Sequence, residues 1–325
     1  MKLARRRLLH LAAGAAALPA LSGVAAAEAY PTRPVTIVVP VPPGGALDIL
    51  ARLMGQWLSQ HLGQPFVIEN RPGAGTNLGI ETVVRAPADG YTLILIPSSV
   101  TTNATLYTKL KFNFIRDIVP IAMISSLPLV MEVNLSVPAK TVPEFVAWAK
   151  ANPGKVSMAS GGTGSVSHIG GELFKTMTGI EMVHVPYHGG APALIDLMGG
   201  QVQVYFSPLP ESLAAIKAGT VRALAVTTAT RSAALPDLPT VAESVPGFEA
   251  STWQGIGAPK NTAAAVVAKL NAEINAALAD PAIKTRLAAL GSVPMPMTPA
   301  AFETYIVDET AKWAKVIHQA HIPLL

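Results

Sequence analysis

The stretch VSMASGGTGSVSHIGGELFKTMTG, residues 156–179, contains the unit from which this chain is built. Residues 156–159 have the short apolar pattern of a strand, and residues 160–165 form a turn rich in Gly, Ser and Thr. A helical pattern runs from about residue 166 to 178, and Gly179 is placed to cap its end. The stretch predicts a strand, a glycine-rich turn and a helix in succession.

The same succession recurs along the chain, which predicts α/β architecture with mainly parallel strands. In an open α/β sheet such turns lie at the carboxyl ends of the strands, where ligands bind. The free N–H groups and the positive dipole end of each helix make these turns anion sites without a charged side chain. The turns are residues 40–48, 70–79, 97–103, 160–168 and 186–192.

Length and composition exclude several classes of protein. At 325 residues the chain exceeds the size at which one core stops growing, so we expect two lobes. Half of the residues are apolar and 14% are charged, which is typical of a folded globular protein. The absence of cysteine excludes disulfides, thiolate metal sites and a cysteine nucleophile.

Residues 1–29 have the three parts of an export signal. Arg5, Arg6 and Arg7 precede a small apolar stretch, and A-x-A sites end at Ala27 and Ala29. A membrane anchor is the less favoured interpretation, and the Sec and twin-arginine routes both stay open. We expect a periplasmic protein. Its net charge without the signal falls from +4 to +1, with no basic footprint for nucleic acid.

The turn at 160–168 resembles a phosphate site but fails both known tests. A P-loop requires Lys after its last glycine, and here Ser165 follows Gly164. The dinucleotide fingerprint requires a glycine where this chain has Ser167. The turn instead offers backbone N–H groups and hydroxyls, or its glycines serve only a tight turn. No cofactor is implied.

Catalysis and metal binding have weak support. No G-x-S-x-G motif occurs, and His168, His184 and His188 cluster in the sequence, but a histidine is more often a packing or hydrogen-bonding residue than a general base or a metal ligand. Pro186 lies between the last two, so they do not share a helix face. Asp48 opens the first helix, and two interpretations stay open: it stabilises the helix dipole, or it faces a ligand.

Seven motifs in order carry a resemblance to a known family. The motifs are Tyr30-Pro31-x-x-Pro34-Val35, Pro42-Pro43-Gly44-Gly45-x-x-Asp48, Glu69-Asn70-Arg71-Pro72-Gly73-Ala74-Gly75, Ala88-Asp89-Gly90-Tyr91-Thr92, Gly162-Thr163-Gly164-Ser165-x-x-His168, Pro186-Tyr187-x-Gly189 and Pro246-Gly247-Phe248-x-x-x-x-Trp253-x-Gly255. Over essentially the whole chain after the signal, the sequence resembles the substrate-binding proteins of the tripartite tricarboxylate transporters, the Bug family.

The resemblance implies an α/β fold of the type II periplasmic binding protein class. Two lobes with mixed sheets flanked by helices would close like a Venus flytrap, joined by two crossing segments near 124–130 and 249–256. Lobe 1 would be discontinuous and lobe 2 continuous. The implied bounds are 30–126 and 253–325 for lobe 1, and 127–252 for lobe 2.

The resemblance also implies a carboxylate held between turns of the two lobes. Three positions depart from the family's usual residues, namely Leu47, Thr76 and Ser207, and they favour a less polar ligand. The implied ligand contacts are Gly44, Gly45, Asp48, Ser98 and Ser99 in lobe 1, and Ser160, Gly162, Thr163, Gly164, Ser165, His168, Tyr187, Gly189 and Ser207 in lobe 2.

The expected function is capture of a small carboxylate and its delivery to membrane transporter subunits. We expect a monomer without cofactor, metal or nucleic-acid partner, and no enzymatic activity. A ligand-presenting sensor protein is an alternative with the same fold, and a hydrolase is a weaker one.

Overall fold

The computed structural model describes residues 30–325, so the predicted export signal lies outside the described part. The first lobe is built around three strands that alternate with helices, as predicted. Its elements up to the first crossing strand are β1 (Val35–Val39), α1 (Ala46–Leu62), β2 (Phe66–Asn70), α2 (Asn77–Val84), β3 (Thr92–Pro97), α3 (Ser99–Leu106) and α4 (Phe114–Asp117).

The second lobe repeats the strand–turn–helix succession. Its elements, with the two crossing strands, are β4 (Ile118–Val133), α5 (Val142–Ala151), β5 (Ser157–Ser160), α6 (Val166–Thr178), β6 (Val183–Pro186), α7 (Gly190–Met198), β7 (Val204–Pro208), α8 (Leu209–Lys217), β8 (Arg222–Val226) and β9 (Ser251–Pro259). The chain ends with α9 (Ala264–Ala279), α10 (Pro281–Ala289), β10 (Val293–Pro294) and α11 (Pro299–Gln319).

Capping residues in the local sequence determine where several helices begin and end. Thr141 accepts a hydrogen bond from the Glu144 N–H at 3.3 Å and so caps α5. Gly63 and Gly179 end α1 and α6 with φ of 73° and 66°, in the left-handed region that glycine adopts freely. These caps satisfy backbone groups that a helix end leaves open.

The two crossing strands join the lobes through one continuous mixed sheet. The strand order is β2-β1-β3-β9-β4-β7-β5-β6, with β8 and β10 also paired to β4. Residues 118–128 of β4 pair antiparallel with β9, and residues 129–133 pair antiparallel with β7. The predicted lobe boundary at 126 and 127 lies beside this change of partners. The parallel strands on either side explain why the chain reads as repeated α/β units.

Helix α11 contacts the cores of both lobes. Phe302 and Ile306, in its first half, pack in a lobe 1 cluster with Ile94 and Ile96. Trp313 and Ile317, in its second half, pack in the main lobe 2 cluster. The predicted assignment of all of 253–325 to lobe 1 is therefore wrong for the end of this helix, because its apolar face is long enough to span the join.

No helix among residues 30–325 is long and apolar enough to cross a membrane.

Candidate functional site

A cleft of about 160 Å³ lies where the two lobes and one crossing strand meet. It is lined by the first turns of α3 and α6, so two helix N-termini converge on the same space. Its wall combines hydroxyls with an apolar side. The lining residues are Ser98, Ser99, Thr102, Gly164, Ser165, Val166, Ile169, Ser251, Thr252 and Trp313.

The lobe 1 side of the cleft is the turn after β3. Ser98 precedes α3 and Ser99 is its first residue, so unpaired N–H groups of the first turn lie at the cleft. The Ser99 hydroxyl lies 2.9 Å from that of Thr76, whose φ is 83°. This φ lies in the left-handed region that glycine adopts freely and threonine rarely adopts. Both predicted serines therefore line the cleft.

The lobe 2 side is held by hydroxyls within the loop itself. Ser165 caps α6 by accepting from the His168 N–H at 3.3 Å, and its hydroxyl lies 2.9 Å from that of Ser167. The Ser167 hydroxyl accepts from the Gly161 N–H at 3.0 Å. The loop is thus fixed by its own side chains, while Thr163 at its tip is exposed.

His168 supports this loop from the protein interior. Its Nδ1 accepts a hydrogen bond from the Gly164 N–H at 3.0 Å, which requires that nitrogen to be unprotonated. The ring is buried and stacks on His184, with 3.6 Å between ring centroids and 11° between planes. Burial, then the neighbouring His184 and Lys175, lowers the pKa of His168 to about 3. Its position makes it a support of the loop.

His184 and Ser160 contact each other at the interior side of the loop. The Ser160 hydroxyl lies 2.6 Å from Nε2 of His184, and Ser160 is fully buried. Burial, then Lys175, lowers the pKa of His184 to about 4. Both rings are therefore neutral at neutral pH, and Ser160 faces the protein interior instead of the cleft. No group of three or more potential metal ligands occurs in the described part of the chain.

Gly164 brings the two lobes into contact. Its φ is 79°, and a Cβ built on it would lie 2.8 Å from Cδ1 of Leu106 in α3. A larger residue here would be strained in its backbone and would push the loop away from lobe 1. The glycine therefore permits the close approach of the α3 and α6 turns that forms the cleft.

The turn at 186–190 supports the 160–168 loop from outside the cleft lining. The Tyr187 N–H donates to the Ser160 carbonyl, and the Gly189 N–H donates to that of Gly161. The Tyr187 hydroxyl donates to Asp196 at 2.7 Å, and burial raises its pKa to about 12. Glu211 packs so closely against Gly190 that a Cβ there would overlap its carboxylate. The Glu211 carboxylate thus occupies the space at the N-terminus of α7.

The first glycine turn of lobe 1 is tied by charge. Asp48 is buried and accepts hydrogen bonds from the Gly44 N–H at 2.9 Å, Arg52 Nε at 2.8 Å and Asn70 Nδ2 at 2.9 Å. The Arg52 hydrogen bond is the main reason that the pKa of Asp48 falls to about 2. Gly45 is exposed at the N-cap of α1. Among the predicted contacts, Gly44, Gly45 and Asp48 are absent from the cleft lining.

Ser207, another predicted ligand contact, does not line the cleft. It is fully buried in β7, and its hydroxyl lies 2.6 Å from that of Ser212. The two hydroxyls lie beside Glu132, whose pKa burial raises to about 8. Ser207 thus belongs to the interior of lobe 2, because the alternation of β7 turns its side chain away from the cleft. Leu47 likewise packs against the lobe 1 core.

Six lining residues were missed by the sequence analysis. Thr102, Val166 and Ile169 belong to helices whose first turns were predicted, so helical spacing was a usable signal. Trp313 on α11 had none, since it is far in sequence from both turns. Ser251 and Thr252 lie within the predicted crossing at 249–256, which was a usable signal for both.

The lining of this cleft contains no Lys, Arg or His side chain. The available groups are hydroxyls, backbone N–H groups and two helix N-termini, which together stabilise an anion without an opposite ionic charge. On the other side, Val166, Ile169 and Trp313 offer apolar contact. The arrangement can bind a small molecule that has a negatively charged end and an apolar part.

Comparison with known proteins identifies the family. Residues 50–322 match the family described as "Tripartite tricarboxylate transporter family receptor". Protein BugT of Bordetella pertussis is 38% identical over 306 residues, covering 92% of this chain and 94% of that protein.

Two solved relatives share the fold. R. palustris Rpa4515, solved with adipate, is 39% identical with a TM-score of 0.77, covering 91% of this chain and all of that one. MatC from Rhodopseudomonas palustris, with bound malate, is 33% identical with a TM-score of 0.72, covering 89% of this chain and all of that one. The predicted two-lobe α/β fold is confirmed, and the chain belongs to the receptor family of the tripartite tricarboxylate transporters.

Proposed function

We propose that this receptor binds a small carboxylate in the cleft between its lobes and delivers it, in the periplasm, to a tripartite tricarboxylate-type transporter. The observation that carries the proposal is the convergence of the α3 and α6 N-termini on one cleft that no cationic side chain lines. The ligands of the two solved relatives, adipate and malate, support the same chemical class.

Neutral donors fit a receptor that must release its ligand. Hydrogen bonds from N–H and hydroxyl groups to a carboxylate contribute roughly 1.5–3 kcal/mol each. A few such bonds hold the ligand firmly without a buried cation that would bind every anion. Since the α3 turn is in lobe 1 and the α6 turn in lobe 2, a ligand that contacts both favours the closed arrangement.

The protein acts, in this proposal, as a monomer without cofactor or enzymatic activity. The buried histidine rings support a loop, and the hydroxyl that contacts His184, that of Ser160, is buried away from the cleft, which argues against the hydrolase alternative. The ligand-presenting sensor alternative would use the same cleft, and it differs only in the membrane partner that reads the closed form.

The test is thermal denaturation of the chain from Tyr30 with a panel of ligands. Adipate, malate, citrate, hexanoate and benzoate represent carboxylates, and phosphate, glucose and ATP are the controls. A ligand at 100 times its Kd stabilises the native state by about 2.7 kcal/mol. We expect one or more carboxylates to raise the midpoint of thermal denaturation and the control compounds to leave it unchanged. A shift with a control compound alone would contradict the proposal.

A further inference from the structure

We infer that the hydroxyl of Thr252, which lies outside the predicted contacts, is a ligand-binding group of the cleft. The inference rests on the proposed function and adds a specificity-determining residue to it. Thr252 lies on β9, where that strand crosses between the lobes and pairs with Leu127 of β4. It therefore forms part of the cleft between the two helix turns.

The strand alternation sends Thr252 and its neighbour to opposite faces of the sheet. Trp253 is fully buried on one face, where its ring packs edge-on against Phe302 at 5.5 Å and Tyr305 at 5.7 Å. Thr252 is on the other face, is partly exposed and lines the cleft. The packing of the Trp253 side thus fixes which face of β9 the ligand meets.

The Thr252 hydroxyl lacks a partner, as do a few other buried polar atoms in the described residues, but it is the one that belongs to a residue lining the cleft. Its Oγ1 is buried and forms no hydrogen bond to any described residue. Other buried threonines are satisfied: Thr227 donates to the Leu129 carbonyl at 3.0 Å, and Thr262 donates to the Pro259 carbonyl at 2.8 Å. Buried polar groups without a partner are rare and costly in proteins, so this one requires an explanation.

A ligand in the cleft supplies the missing partner. The Oγ1 atom is itself buried, so a hydrogen bond to a ligand in the cleft requires rotation of the Thr252 side chain by about 120° to its next staggered rotamer. A carboxylate accepts hydrogen bonds on both oxygens, so it can bind Ser99, Ser165 and Thr252 together. Those residues belong to lobe 1, lobe 2 and the crossing strand, and such a ligand would join all three.

The substitution Thr252→Val separates this role from a structural one. Valine keeps the shape of the side chain and removes the hydroxyl. We expect affinity for the carboxylate to fall about 10- to 100-fold. The melting midpoint of the free protein should stay the same or rise, because an unpartnered buried hydroxyl is removed. Thr252→Ser retains the hydroxyl and should bind within a few-fold of the wild type.

The matched control is Thr262→Val. Its hydroxyl is buried and bonded to Pro259, at the far end of β9 from the cleft. This variant should lose thermal stability and keep its affinity, the opposite of Thr252→Val.

Titration calorimetry uses adipate, malate and benzoate, and the compound that the wild type binds most tightly is used for all variants. Equal affinity of Thr252→Val and the wild type overturns the inference and leaves the proposed function intact. A loss of both stability and affinity that Thr252→Ser does not restore also overturns it. If the wild type binds none of the panel carboxylates, the proposed function fails and the inference fails with it.

Discussion

The first glycine turn of lobe 1 and the 160–168 turn of lobe 2 look alike in sequence but are stabilised in different ways. The lobe 1 turn is tied to a buried carboxylate, Asp48, which binds Arg52 and Asn70. The lobe 2 turn is tied by neutral groups, with Ser165 and His168 accepting from backbone N–H groups. Only the second turn lines the cleft.

The difference shows what an anion site requires. In the first turn, the buried Asp48 carboxylate already accepts the hydrogen bond from the Gly44 N–H, and its negative charge disfavours a second anion nearby. Hydroxyls and neutral imidazoles fix the other turn and leave the helix dipole of α6 available to a ligand. Glycine-rich turns in sequence are therefore not equivalent sites, and three experiments test this contrast.

The largest expected effect is acid destabilisation through the histidine pair. The pKa of His168 is about 3 in the folded protein and near 6.5 when unfolded, so its contribution is fully present above pH 6.5. It is lost as pH falls from 6.5 towards 3, because the His168 ring then binds a proton in the unfolded state and stays unprotonated in the folded state. His168 alone should lower the free energy of unfolding by roughly 3 kcal/mol between pH 6.5 and 4.

Urea unfolding of the wild type and His168→Asn over that pH range measures this effect. Asparagine keeps an oxygen that can accept from the Gly164 N–H, and it does not titrate. The variant should show a clearly shallower decline in stability. Parallel declines in the two proteins would mean that His168 is not held neutral by its buried position.

The second effect is at Asp48. Replacing it with alanine leaves Asn70, Arg52 and the Gly44 N–H without their acceptor, which should cost about 2 kcal/mol of stability, since Arg52 is half exposed and solvent compensates it. The wild-type contribution is present above pH 3.8 and is lost as pH falls towards 2.

Carboxylate affinity of Asp48→Ala should change by less than about twofold if this turn is structural. Asp48→Asn, which keeps one oxygen acceptor, is the control for folding. A large affinity loss in a variant that remains folded would show that the lobe 1 turn contacts the ligand, and the contrast between the turns would no longer hold.

The smallest effect on stability separates two hydroxyls of the lobe 2 turn. Ser165→Ala removes the cap of α6 and should cost about 1 kcal/mol, together with a loss of carboxylate affinity. Thr163→Val alters an exposed tip that is absent from the cleft lining, so it should change stability by less than about 0.5 kcal/mol and carboxylate affinity by less than about twofold. Calorimetric titration and urea unfolding measure the two quantities, and unchanged affinity in Ser165→Ala would remove this loop from the site.

The sequence by itself determined the local units of this protein. Strand–turn–helix successions and the caps Thr141 and Gly179 follow from hydrogen bonds and spacing within a few residues, whereas the crossing of β9 near residues 249–256 was implied by the family resemblance. The family motifs are of the same kind, since they are short and in fixed order. The α/β class and the two lobes were therefore predictable.

Only the tertiary structure decided which of the similar turns share a cleft. Ser98 and Ser165 meet there because the continuous sheet brings β3 and β5 to opposite sides of the crossing strands. Ser207 turns inward and Thr252 turns to the cleft because of strand register, and Trp313 arrives through the path of α11. These positions depend on contacts between residues distant in sequence, which local pattern does not encode.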